Sequence, residues 1–271
     1  MATAISRQED PYIVIDGVSW ESYDQILAAL GEHHLRHCYD RGTLEMRSLL
    51  YGVTWGEYEA FLRALPEHYL RHTFDRGCLE MMAPSREHEW IKRFIGRLIE
   101  AMALELDIPI QSAGSTTQRR RESDRGLQPD ESYYVASEPL VSRKRKLDLR
   151  RAPPPDLAIE VDVTYSTLSR MEVYASLRIP EVWRYDGRQV TFNKLATRRK
   201  YQSIQHSVAF PFLTPADILR AVDQLDQKDE NTLVREFVRW AKRASAKYKS
   251  ESTSTKTETP AITKRSNKKS S

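Results

Sequence analysis

The chain has 271 residues, 30% of them charged and 40% hydrophobic, with a formal net charge of +4. That length supports one large domain or two small ones, and two cysteines exclude a disulfide-stapled scaffold. No window approaches 18 apolar residues, and "MATAISRQEDPYIV" holds no apolar run of signal-peptide length, which argues against a helical membrane span and for a soluble cytoplasmic protein.

In chain order, the first feature after an N-terminal segment (1–16) is a repeat. "GVSWESYDQILAALGEHHLRHCYDRGTLEM" (17–46) and "GVTWGEYEAFLRALPEHYLRHTFDRGCLEM" (52–81) agree at 18 of 30 positions, 35 residues apart. Each copy reads as a short helix followed by a hairpin turning on Asp-Arg-Gly. Cys38 and Cys78 sit near one another in the repeat, each in the hairpin of its own copy, so no bridge is expected and a reducing compartment is the simpler reading. The recurrence of His33, His37, His68 and His72 reflects copying, because no zinc-site spacing is formed. Only the second copy runs on into a Pro84 turn, an N-cap-like Ser85 and a long amphipathic helix with Ile91, Phe94, Ile95, Leu98, Ile99 and Met102 on one face. The first copy therefore reads as an appended duplicate that extends the sheet or packs beside it.

Downstream, "IPIQSAGSTTQRR", "DESYYVA" and "PDLAIEVDVT" read as strands, "STLSRMEVYASLRI" as a helix, and "EVWRYDG" with "QVTFNKL" as a hairpin. Two amphipathic helices follow in "TPADILRAVDQLDQ" and "ENTLVREFVRWAKRA". This order implies a mixed α/β sheet with at least one crossover, over residues 47–240. From residue 241 on, nine Lys and Arg stand against two Asp and Glu, so the tail carries +7 and the rest of the chain about −3. Its Ser/Thr/Lys composition predicts a disordered basic tail over 241–271, a solubilising segment or a weak nucleic-acid tether.

Carboxylates in the strand "PDLAIEVDVT" are costly unless paired. With period-2 geometry Asp156, Glu160 and Asp162 share one face, and Asp130 and Glu131 open a second strand. Acids converging from two neighbouring strands make a hard oxygen site suited to Mg²⁺ or Mn²⁺, which can activate water beside a scissile phosphate. Basic runs at Arg119–Arg121 and Arg143–Arg151 flank these acids, as a phosphate-contacting rim or as solvated loops.

The segments "GLQPDESYY", "PPPDLAIEVDVT" and "RMEVYASLRIPEVWRYDG", with "DRGCLEMMAPSREHE" and "SVAFPFLTPADI", closely resemble the Uma-two family of endonucleases in the PD-(D/E)xK restriction-endonuclease-like superfamily. The resemblance runs from about Gly52 to about Trp240 and leaves out the first repeat copy and the tail. It implies a mixed sheet flanked by helices and a divalent-metal-dependent hydrolysis of DNA phosphodiesters, with a homodimer by analogy. Asp130 then matches the aspartate of the PD motif and Glu160 the acid of the third motif, together the Mg²⁺ or Mn²⁺ ligands. Glu80 and His88 match the acid and histidine of the "GxLE…H" segment. The superfamily's lysine two residues past the acid is Asp162 here, and the compensating Asp-Lys pair of family members is Ser169-Arg170. Arg170 keeps the charge but cannot serve as a base. The family's "EPD" is Gln128-Pro129-Asp130, and a usual glycine is Arg178. These departures leave a catalytically impaired nucleic-acid-binding or interaction module as the alternative.

Overall fold

The computed structural model describes residues 12–15, 18–31, 37–41, 43–64, 70–82, 85–144, 147, 152–162, 168–197 and 199–257. The front of the chain forms β1 (Tyr12–Ile15), α1 (Trp20–Leu30), the hairpin β2 (His37–Asp40) and β3 (Thr43–Arg47), then β4 (Leu49–Tyr51) and α2 (Trp55–Ala64). A second hairpin, β5 (Arg71–Asp75) and β6 (Cys78–Met82), leads into the 20-residue α3 (Arg86–Glu105). Next come β7 (Gln111–Ser112), β8 (Gln118–Arg120), a 3-10 turn at Arg121–Ser123, β9 (Arg125–Leu127), β10 (Glu131–Tyr134) and the single-turn α4 (Glu138–Val141). The last part holds β11 (Leu157–Val161), α5 (Arg170–Leu177), β12 (Glu181–Tyr185), β13 (Val190–Leu195), β14 (Tyr201–Ile204), α6 (Pro215–Val222) and α7 (Glu230–Thr257).

Among the described residues the strands make three sheets rather than the single mixed sheet expected. Their orders are β1-β3-β2, β4-β6-β5-β9-β8 and β14-β13-β12-β11-β10-β7. The third carries one parallel pair, β11 with β12, and α5 is its crossover, as the sequence order required. The expected strand over 108–120 breaks at Gly114, whose φ of +52 turns the chain, so its two ends join different sheets. In the second Asp-Arg-Gly turn Arg76 and Gly77 both have positive φ, +47 and +88, which matches the twist a two-residue hairpin needs.

The alternation read in β11 holds, and both faces are buried. Leu157, Ile159 and Val161 pack with α3, α6 and α7 around Phe94, Trp183 and Phe210. Ala158 packs on the opposite side with Val173, Tyr174 and Leu177 of α5. Glu160 shares that second side. The front of the chain has its own apolar cluster, in which Ile26 and Leu30 of α1 and Leu44 and Met46 of β3 pack with Phe61, Phe74 and Leu79. The expected boundary at residue 47 therefore runs through one shared core, and the first repeat copy packs beside the second.

The C-terminal segment differs from expectation. α7 runs on to Thr257 with Ala241 and Ser245 buried, so the first half of the predicted disordered tail is helical. Phe237, Ala241 and Ser245 recur every fourth residue, the helical spacing that seats this face on α3. Residues 258–271 lie outside the described residues. Both cysteines are free thiols, and no described helix is long and apolar enough to cross a membrane.

Candidate functional site

Four elements deliver side chains to one buried point between the second and third sheets. Asp130 stands at the entry to β10, where its backbone N–H donates to Ile159 and its Oδ2 accepts from the Val161 N–H at 2.6 Å. This double link fixes Asp130 beside Glu160 of β11. The N-cap of α3 aims His88 at the same place, since Ser85 Oγ accepts from the His88 N–H at 3.1 Å and the His88 ring reaches Asp130 Oδ1 at 2.9 Å. From the other side α5 presents Arg170 and Tyr174, one turn apart. Tyr174 donates to Glu160 Oε2 at 2.6 Å.

The central residue was not anticipated from the sequence. Arg71 of β5 lies between the two acids, with Nε 2.8 Å from Asp130 Oδ1 and Nη2 3.1 Å from Glu160 Oε1. Its Nη1 is 3.0 Å from His88 Nε2. Arg170 clasps Glu160 in turn, with Nε 2.6 Å from Oε1 and Nη2 3.0 Å from Oε2, while Nη1 donates to Thr73 and Nη2 to the Gln128 carbonyl. Two carboxylates and two guanidiniums thus form a charge-balanced, deeply buried network: Asp130 is 0% exposed, Glu160 3%, Arg71 6% and Arg170 8%. Several of the approaches are ionic without alignment. Neither Arg71 Nε nor Arg170 Nε aims its N–H at the oxygen it touches, and Asp130 Oδ1 has no aligned donor.

The electrostatics follow from this packing. Burial on its own raises the Glu160 carboxyl, but the Arg170 and Arg71 charges outweigh it and hold the group at about 2. The Tyr174 hydroxyl is pushed far up by burial and by the Glu160 charge. Burial opposes the charged form of His88, yet its contacts with Asp130 and then Glu89 raise it above the ordinary histidine value. His88 Nε2 lies 2.9 Å from Asp130 Oδ1 and 3.0 Å from Arg71 Nη1, so the histidine and Arg71 share the Asp130 carboxylate.

The other sequence candidates sit apart from the cluster. Glu80 is buried on β6 directly across from Thr73, so it shares a sheet face with the hydroxyl that Arg170 holds. Asp156 accepts from the backbone N–H groups of Val135 and Ser137 and from the Ser137 hydroxyl, a turn-capping role. Asp162 pairs with Arg184 at 2.7 Å. Of the basic runs, Arg119 lies 3.8 Å from Glu59, Arg120 3.7 Å from Glu122, and most of 143–151 falls outside the described residues.

The cluster borders a cavity of about 690 Å³. Arg71, Gln128 and Pro129 line its inner wall, and Lys92, Arg93, Glu89, Glu100 and Glu131 of α3 and β10 line the rest. Glu131 was read as part of the acidic site, but it faces this cavity from the other side of β10. Burial, more than any other influence, raises its carboxyl.

As arranged, these residues do not fit a divalent cation. Two carboxylates are the hard donors such an ion takes. Here the guanidiniums occupy the space between them and already balance their charge, so a further +2 at this buried point would be uncompensated. Among the described residues no three His, Cys, Asp or Glu side chains converge as a cation site.

Comparison with known proteins identifies a matching family and a similar solved structure. A family model, Uma2, described as "Putative restriction endonuclease", matches residues 55–227. The crystal structure of a "putative nuclease belonging to DUF820" from Anabaena variabilis is similar over 60% of this chain and 96% of its own, at 16% identity and a TM-score of 0.42. No curated protein matches.

Proposed function

Because this chain belongs to the Uma2 family, we propose that it is a nuclease acting on DNA phosphodiesters, centred on Asp130, Glu160, Arg170 and His88 with Arg71. One observation carries this reading. Residues from four elements, 88 to 170 in the chain, meet at one point, and Arg71 extends that point to the wall of a cavity with Lys92 and Arg93 on it. A phosphate group in the cavity would approach Arg71, Lys92 and Arg93 in competition with Glu89, which already pairs Lys92, and with Glu100 and Glu131, and these cations would supply backbone attraction without sequence readout. Arg170 stays protonated and cannot act as a base; clasped on Glu160 and bonded to Thr73 and the Gln128 carbonyl, it acts through its charge and through the position it gives Glu160.

A specific observation also favours a second reading, a catalytically silent module that binds nucleic acid. Both Glu160 oxygens and Asp130 Oδ1 have a guanidinium nitrogen within 3.1 Å, and the family's lysine is an arginine. Plasmid nicking by the full chain, with Mg²⁺, with Mn²⁺ and with chelator, alongside gel-shift binding of the same DNA, separates the two. Nicking that disappears in Asp130→Asn supports the nuclease. DNA binding without nicking under every condition selects the silent module, and the absence of both removes DNA as the substrate.

A further inference from the structure

The two repeat copies hold the same aromatic quartet in nearly the same geometry. In the second copy Tyr58 stacks on Phe74 at 4.5 Å and 8°, with Trp55 5.6 Å from Tyr58 and 6.0 Å from Phe74, and His72 5.6 Å from Tyr58. In the first copy Tyr23 stacks on Tyr39 at 4.4 Å and 14°, with Trp20 5.3 Å from Tyr23 and 5.7 Å from Tyr39, and His37 5.8 Å from Tyr23. The copies differ in what lies beside them. In the second, β9 pairs antiparallel with β5, matching Arg125 to Asp75, Gly126 to Phe74 and Leu127 to Thr73. There Arg125 grips Asp75 with Nε–Oδ1 at 2.7 Å and Nη2–Oδ2 at 3.2 Å. Gly126 is required, because a Cβ on it would stand 2.6 Å from the Tyr58 hydroxyl. Tyr58 and Phe74 are fully buried.

In the first copy the strand equivalent to β5 is β2, and among the described residues β2 is the open edge of its sheet. Trp20 is 67% exposed, and the Asp40 carboxylate, the counterpart of Asp75, is 70% exposed with the neighbouring Arg41 as its ionic contact among the described residues. A short open edge beside the exposed Trp20 ring and the half-buried Tyr23 and Tyr39 is a template for an added strand.

We propose that β2 with Trp20, Tyr23 and Tyr39 is a docking site for an extended segment of another polypeptide carrying Arg-Gly-apolar, added antiparallel as β9 is added to β5. The register places the arginine opposite Asp40, the glycine opposite Tyr39 and the apolar residue opposite Cys38. The chain itself cannot supply this segment in cis. Its three Arg-Gly pairs are at 41–42, 76–77 and 125–126; the first two are hairpin turns, and the third is already paired with β5.

The test uses the full chain and a synthetic peptide of the sequence Gln118–Leu127, QRRRESDRGL, followed by calorimetry. One peptide is expected per chain, with about tenfold weaker binding for Asp40→Asn, a loss of roughly 1.4 kcal/mol. A peptide with valine in place of the glycine should bind at least about tenfold more weakly. The charge reversal Asp40→Arg should abolish binding, and a peptide carrying aspartate at the arginine position should restore it. Asp40 is exposed, so these substitutions leave the fold in place, which circular dichroism verifies. Equal binding of a scrambled peptide, failure of the charge swap to restore binding, or no heat at millimolar peptide overturns the proposal. So does sedimentation showing self-association that Asp40→Arg abolishes, since a second copy would then be the occupant.

Discussion

Replacing Glu160 by glutamine tests whether the acids of the buried network are held by arginine. The substitution keeps the side chain's shape and removes one negative charge, leaving Arg71 and Arg170 to share Asp130 alone. The Glu160 carboxyl is lowered from 4.5 to about 2, which corresponds to about 3 kcal/mol of stability at neutral pH. Loss of one member of a buried ion pair costs about the same, 3–5 kcal/mol. For a chain of this size that is a fall in Tm of roughly 6–12 °C. The sign with pH follows from the depression: the contribution is complete above about 4.5 and is lost as pH falls toward 2. Thermal melts of parent and Glu160→Gln at pH 7 and pH 3 should therefore show a wide gap at pH 7 that narrows at pH 3. A variant that melts level with or above the parent at pH 7 would refute the reasoning, because that is how an acid pair relieved of mutual repulsion behaves.

Two further outcomes rest on the same structure. Arg178 ends α5 in the left-handed conformation, with φ +64, the position where helices favour glycine and where the Uma-two resemblance has one. Arg178→Gly should raise stability by up to about 1 kcal/mol in urea unfolding, and a loss of stability would mean that the arginine side chain makes a stabilising contact there. Deleting residues 1–46 removes α1 and β1–β3 from the cluster that buries Phe61 and Leu50. The truncated chain should lose at least about 3 kcal/mol, the worth of uncovering two large apolar side chains, and should bind a hydrophobic dye; an unchanged melting profile would make the first copy an independent appendage.

Much of this was legible in the sequence because its signals are local. The alternation of "DLAIEV", the helical spacing of Ile91 to Met102 and the Asp-Arg-Gly turns each depend on a few neighbouring residues, and each appears where expected. The tail misled because Ser/Thr/Lys content measures apolar supply and misses a face of one small residue per turn; the buried Ala241 and Ser245 continue the face that Leu233 and Phe237 begin. The three-sheet division was hidden because Gly114 acts by redirecting chain, and pairing partners are set by tertiary contacts.

Arg71 was hidden for another reason, and its signal was nonetheless present. It stands in "LRHTF", which recurs in the first copy as "LRHCY", so duplication alone accounts for it. Yet Leu70, Arg71, His72, Thr73 and Phe74 are all buried, and a cation inside such a run is as costly as the acids of "DLAIEV". Two buried charge anomalies of opposite sign in one chain imply each other as partners. Taking the anomalies together leads to the Arg71 contacts with Asp130 and Glu160, whereas the acids considered alone lead to a cation from outside. The first copy sharpens the distinction: its sequence retains the arginine of "LRHCY", but the acids at 130 and 160 have only one Arg71 position between them to fill, so duplication preserved a residue type whose pairing in the second copy depends on β10 and β11.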